Sequence, residues 1–221
     1  MRKVKPHLNL KTVGPVNRDQ IDSILAVFRD FYGKLDEEVK PQLVDIQIFH
    51  SRGGMLESIR REALSLNAVY PYDEAYIAMH EAWTGIPKIN VCVEDMDRLP
   101  KQVFEAALRH EAAHSILHGS PEYYIVSVPS SLVEEFRGRG FNDEEIISLA
   151  YVEASALKDF EATKLLYRLG FIEDQLAFAV YSLKIEVEEK FSGSKVAEID
   201  LEKCVECGVC EGSCRFGAIK G

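Results

Sequence analysis

The stretch His110-Glu111-Ala112-Ala113-His114-Ser115-Ile116-Leu117-His118-Gly119 decides how the rest of the chain is read. It holds no helix breaker before Gly119, and Leu99-Pro100 upstream supply a proline suited to a first helical turn. The run therefore predicts a helix from Leu99-Pro100 to His118, stopped at Gly119. On such a helix, residues four apart share a face about one turn from each other. His110 and His114 can then offer two imidazole nitrogens to one metal ion. Glu111 projects beside them, placed to take a proton from water on that ion. His118 stands about 12 Å of rise from His110, too far to share the ion. It is expected to end the helix, facing the C-terminal dipole.

Working outward, Lys88-Ile89-Asn90-Val91-Cys92-Val93 reads as a strand just upstream, paired through a turn at Gly85 with a strand over 75–80. A lone Cys92 in that strand is expected to be a small buried hydrophobe. Val44, Ile46 and Ile48 alternate with Asp45 and Gln47, a half-buried strand. Two helices are expected on this side, one capped by Asn17 and stopped at Gly33, the other from Met55 to about Ala68. Residues 1–16 form an extended segment or an edge strand.

Downstream come a loop over 120–130, a short helix at Leu132–Arg137, and a long helix from Asn142 to Leu169 stopped by Gly170. A last helix runs from Ile172 to about Lys190, and Ser192-Gly193-Ser194 is a short linker. Helices dominate and the strands are few. The fold class expected is α+β with a small mixed sheet.

The chain has 221 residues, 47% of them hydrophobic and 28% charged, ordinary values for a globular protein. A net charge of −10 argues against nucleic acid and anionic membranes as partners. No run of about 18 apolar residues predicts a membrane span, and the start, Met1-Arg2-Lys3-Val4-Lys5, does not resemble a signal peptide. A cytoplasmic location is expected. Four of the five cysteines fall within eleven residues near the end, a pattern of metal ligation in a reducing compartment.

Over roughly residues 75–170 the chain resembles the zincin metallopeptidase superfamily, on the strength of His110-Glu111-x-x-His114. The run on to Leu117-His118 is similar to intracellular zincins, including small regulatory metallopeptidases. It does not resemble metzincins, whose glycine breaks the helix earlier than Gly119. The resemblance implies that His110 and His114 hold zinc and that Glu111 is the general base for attack of water on a peptide or protein substrate.

A catalytic zinc takes a third protein ligand, and the helix over 142–169 offers two carboxylates. Ile146, Leu149, Ala150, Leu157 and Phe160 share one face with Glu153 in its middle. Ala156, Ala162, Thr163, Leu166 and Tyr167 form a second stripe with Asp159 near its centre. Glu161, beside Lys164 and Arg168, is expected in solvent. A carboxylate on an apolar face wants a cation or hydrogen bonds. Asp159-Phe160-Glu161-Ala162 resembles the third-ligand helix of intracellular zincins, although most of those carry Glu there, and Glu153-Ala154-Ser155-Ala156 fits the same loose spacing. Asp159 is preferred and Glu153 stays open. His7, His50 and His80 are isolated and read as surface or packed residues.

The tail Cys204-x2-Cys207-x2-Cys210-x3-Cys214 resembles half of a bacterial-type ferredoxin, with Gly208 between the second and third cysteines and Ala218-Ile219 near the end. Arg215 stands where that family has proline. The resemblance implies a [4Fe–4S] cluster. Only one such run is present, so the fourth ligand is Cys214 folded locally, Cys92, or Cys214 exchanged across a homodimer. The combined expectation is a zincin-like domain over 1–194 followed by a ferredoxin-like segment over 195–221. As a whole the chain reads as a zinc metallopeptidase whose cluster gates or stabilises it. The alternative is an electron-transfer or redox-sensing protein with a redox partner and a non-catalytic core.

Overall fold

The computed structural model describes residues 6–66 and 77–191, with side chains as far as Lys184. The chain divides into two compact units, Met1–Tyr181 and Ser182–Gly221. The expected boundary at 194/195, the linker 192–194, the cysteine tail, and the helix end and strand start within 67–76 lie outside the described residues.

The first unit is α+β, mostly helical, with one small mixed sheet. Its elements run β1 (His7–Val13), α1 (Arg18–Gly33), β2 (Leu43–Phe49), α2 (Arg52–Ser65), β3 (Ala78–Glu81), β4 (Lys88–Cys92), α3 (Glu94–Arg98), α4 (Lys101–Leu117), α5 (Ser130–Gly138) and α6 (Asp143–Arg168). A final helix, α7 (Ile172–Phe191), begins in this unit. Single 3-10 turns cover Glu37–Val39 and Pro121–Tyr124. Among the described residues no helix is long and apolar enough to cross a membrane.

The strands lie in the order β1-β2-β4-β3. β1, β2 and β4 are parallel, and β3 closes one edge antiparallel to β4. The expected edge strand is β1, largely exposed along its length. The expected hairpin is β3–β4, turning at Gly85 with φ +84, a conformation suited to glycine. Its turn end is tied by the cross-strand pair Glu81–Lys88 at 2.8 Å, and Lys88 also binds Glu62 of α2.

Alternation along the strands sorts two apolar clusters to opposite faces. Val44, Ile46, Ile48, Ile89 and Val91 meet α1 and α4 through Ile24, Phe28, Phe31, Phe104, Leu108 and Ala112. Phe49, Met79 and Cys92 meet α2 through Met55, Leu56 and Ile59. Fully burying a side chain of Phe or Ile size is worth roughly 1.5–3 kcal/mol, so the larger cluster sets the position of α4.

Helix ends follow the sequence closely. Asn17 and Asn142 each form a capping box, with Gln20 and Glu145 respectively. At the end of α6 the Phe171 N–H reaches the Leu166 carbonyl at 3.0 Å and Gly170 N–H the Tyr167 carbonyl at 3.1 Å. Gly170 has φ +85, as this C-terminal motif requires. α4 ends just before Gly119, as expected. A Cβ there would lie 2.6 Å from the Ser115 carbonyl oxygen and 2.9 Å from Pro87, so the residue is small because chain passes close by.

Arg109, nearly buried on α4, gathers three carboxylates: Asp174 of α7 at 2.6 Å, Asp30 of α1 and Glu105 of α4 at 3.4 Å each. It ties α1 and the start of α7 to the side of α4.

Candidate metal centre

The sheet face that buries α4 also sets the direction of its two histidines. Ala112 and Ala113 are fully buried, and the helix packs on β3, β4, α1 and α6. His110 and His114, on one face of α4, are nearly buried and turn toward the second half of α6. There Asp159 places Oδ1 3.5 Å from His110 Nε2 and 3.2 Å from His114 Nε2. The three ligand atoms all lie within 4.8 Å of one another. Two imidazoles and a carboxylate form a zinc-type donor set, and bonds of about 2.0–2.1 Å in a tetrahedron put ligand atoms roughly 3.3–3.4 Å apart. The residues fit such an ion. Asp159 keeps 62% of its side chain exposed, so the centre opens to solvent on that side.

Charge follows position. Burial pushes His110 down, but the Asp159 and Glu111 carboxylates outweigh it and hold the imidazole above its ordinary value. For His114 burial prevails, and its value falls to about 4. Burial would raise Asp159, yet the hydrogen bonds from both histidines dominate and hold it well below the usual carboxylate range.

Glu111 lies one residue along the helix and points to β3. Its Oε2 accepts from the His80 backbone N–H at 2.7 Å, which fixes the carboxylate. Burial raises it to about 7 against the opposing effects of His110 and that N–H.

His80 is packed, one of the two expected alternatives, but it is not isolated. It is buried on β3, and its ring stacks on His114 with centroids 6.1 Å apart and planes 12° from parallel. Register explains this: His80 pairs with Ile89, so its side chain emerges on the face that receives α4. Its Nδ1 meets Tyr124 Oη at 2.8 Å, while Nε2 is buried without a partner among the described residues. Burial holds His80 well below its ordinary value, so it stays neutral. Tyr124 itself comes from the 3-10 turn after α4, which brings the 120–130 loop against the centre.

His118 ends the helix, as expected. It caps α4 at 1% exposure. Its Nδ1 lies 3.0 Å from His114 Nδ1, and its Nε2 lies 3.0 Å from Glu161 Oε2. Glu161 is half-exposed but is not simply solvated, because one oxygen reaches inward to this imidazole. The i, i+4, i+8 spacing of the three histidines was the available signal for His118. Nothing local could have announced His80 or Glu161, which come from 31 and 43 residues away.

Glu153 stands exposed on the first half of α6 and is not brought to the histidines. The apolar face placed around it also differs from expectation, since Leu149, Leu157 and Phe160 are 47%, 58% and 61% exposed. His7 and His50 are exposed. Cys92 is fully buried among hydrocarbon, as expected, and burial pushes its thiol up to about 11. Cys204, Cys207, Cys210 and Cys214 lie outside the described residues.

The family model described as a 4Fe-4S binding domain matches residues 197–220, which include all four tail cysteines. Neither a curated protein nor a solved structure matches the chain. The protein is thus an α+β chain with a small mixed sheet, and its residues 197–220 are similar to a 4Fe-4S binding domain.

Proposed function

We propose that the chain is a zinc-dependent hydrolase with a zincin-like metallopeptidase site, carrying a [4Fe–4S] cluster on its tail. The observation that carries this reading is the convergence of His110 Nε2, His114 Nε2 and Asp159 Oδ1 beside a buried, oriented Glu111. His110, His114 and Asp159 would hold the ion; Glu153 would not. Bound there, zinc would supply a Lewis acid and lower the pKa of water. Glu111 is held through Oε2 by the His80 N–H, which leaves Oε1 to take the proton of the attacking water. That proton then passes to the leaving amine as the peptide bond breaks. Replacing Glu111 with Gln is expected to abolish peptide hydrolysis while zinc content stays unchanged. Activity surviving in Glu111→Gln would remove this reading.

A second reading, an electron-transfer or redox-sensing protein with its own redox partner, is favoured by the 4Fe-4S match. It expects a reversible cluster potential and no hydrolysis of any peptide. Metal analysis of anaerobically purified protein separates the two. About four irons and about one zinc per chain support both centres together. Iron without zinc removes the hydrolase, and zinc without iron removes the cluster. Cys214 is the proposed fourth cluster ligand, from the same chain or across a homodimer. Cys92 is unsuited, because a thiol buried in hydrocarbon resists the thiolate form that ligation needs.

A further inference from the structure

Beyond the metal pair, α4 carries a third imidazole whose contacts are unusually specific for a helix end. Four nitrogens and two carboxylate oxygens line up: His114 Nε2 facing Asp159, His114 Nδ1 against His118 Nδ1, and His118 Nε2 against Glu161 Oε2. We propose that His118 and Glu161 are positioning residues that hold His114 in the one tautomer able to bind an ion through Nε2. The proposal rests on the metal reading above and adds what orients that ligand.

With an ion in place of the His114–Asp159 hydrogen bond, the protons can be assigned by elimination. An ionised carboxylate only accepts, so His118 Nε2 carries the proton of the contact with Glu161. A neutral imidazole with that proton has a bare Nδ1. The proton between the two Nδ1 atoms, 3.0 Å apart, then belongs to His114. His114 is left with a lone pair on Nε2, the nitrogen aimed at Asp159 and the centre. The opposite assignment, with His118 donating from both nitrogens, forces His114 Nδ1 to accept and protonates Nε2, which then cannot bind an ion. Metal binding and the Glu161–His118 chain therefore select the same state. Histidines that ligate metals generally have their second nitrogen held in this way, and losing the holder costs about 10–100-fold in affinity.

Packing makes the arrangement hard to replace with solvent. His118 is 1% exposed, and the Tyr123 ring stands edge-on to it with centroids 5.1 Å apart. Glu161 is different. Half-exposed on α6, it can be truncated without opening the core, and alanine is a good helix former.

Zinc and cobalt(II) affinities of the full chain, prepared anaerobically with its cluster, provide the test. Cobalt in a nitrogen–oxygen site shows d–d bands without the thiolate charge-transfer absorption that cysteine ligation would add. Glu161→Ala is expected to weaken both ions about tenfold or more. Glu161→Gln is expected to recover part of the loss, since its amide oxygen still accepts from His118 Nε2. In a His118→Phe background, adding Glu161→Ala should cost nothing further, because the two act through one contact. Wild-type affinity in Glu161→Ala, or an equal loss in both backgrounds, overturns the positioning role and leaves the metal reading standing. A wild-type chain that binds neither ion at a nitrogen–oxygen site overturns both.

Discussion

The two halves of α6 belong to one unbroken helix and behave as different objects. From Lys158 onward it lies on α4, with Ala162 and Leu166 fully buried and Asp159 and Glu161 both turned to histidines. From Asp143 to Leu157 only Ile146 is buried, while Ile147, Leu149, Val152 and Leu157 stay between 47% and 65% exposed. α5, with no buried residue, accompanies the outer half. A helix of 26 residues is about 39 Å long, more than a core of this size can cover. The difference teaches that a carboxylate becomes a candidate ligand through where its helix is packed. Glu153 and Asp159 are six residues apart, and only one is at the centre.

The sharpest way to break this comparison is to remove a buried side chain from the inner half. Leu166→Ala should destabilise the protein by roughly 2–5 kcal/mol, read from chemical denaturation. Leu157→Ala, in the outer half, should fall within about 0.5 kcal/mol of the parent. Equal effects would mean that the outer half is packed after all.

Ligand exchange comes next in size. Asp159→Ala should cut zinc affinity about a hundredfold or more, roughly 2.7 kcal/mol, by calorimetry or chelator competition. Glu153→Ala should bind zinc as the parent does. A larger loss in Glu153→Ala than in Asp159→Ala would reverse the assignment.

The smallest expected effect tests whether the outer half is held by its own cap. Asn142→Ala removes a side chain that accepts from the Glu145 N–H at 3.0 Å. It should cost about 1 kcal/mol and show as faster amide exchange in the first turns of α6. Unchanged exchange would mean that tertiary contacts hold that end.

Much of this arrangement was legible in residue order. The boundaries of α1 and α6 follow from Asn17, Gly33, Asn142 and Gly170, because caps and stops act within one turn of chain. The hairpin β3–β4 and the half-buried β2 follow from alternation. The pairing of His110 with His114 follows from 3.6-residue geometry. The apolar face of α6 was misread because periodicity reports which residues share a face and not which part of the face is covered. Leu149, Leu157 and Phe160 do recur at helical intervals, yet they stay 47%, 58% and 61% exposed.

By itself, then, the sequence determined what local rules govern: helices and their ends, the strand pattern, two imidazoles one turn apart with a glutamate beside them, and four cysteines at iron–sulfur spacing. Only the tertiary structure decided which distant groups meet these side chains. Asp159 over Glu153, the His80 N–H that fixes Glu111, and the Glu161 that reaches His118 all depend on how α4 lies on the sheet and how α6 crosses it. Those positions follow from burying Phe28, Ile46, Leu108, Leu166 and their neighbours together, a sum of many small contacts between residues far apart in the chain. No short window of sequence contains that sum.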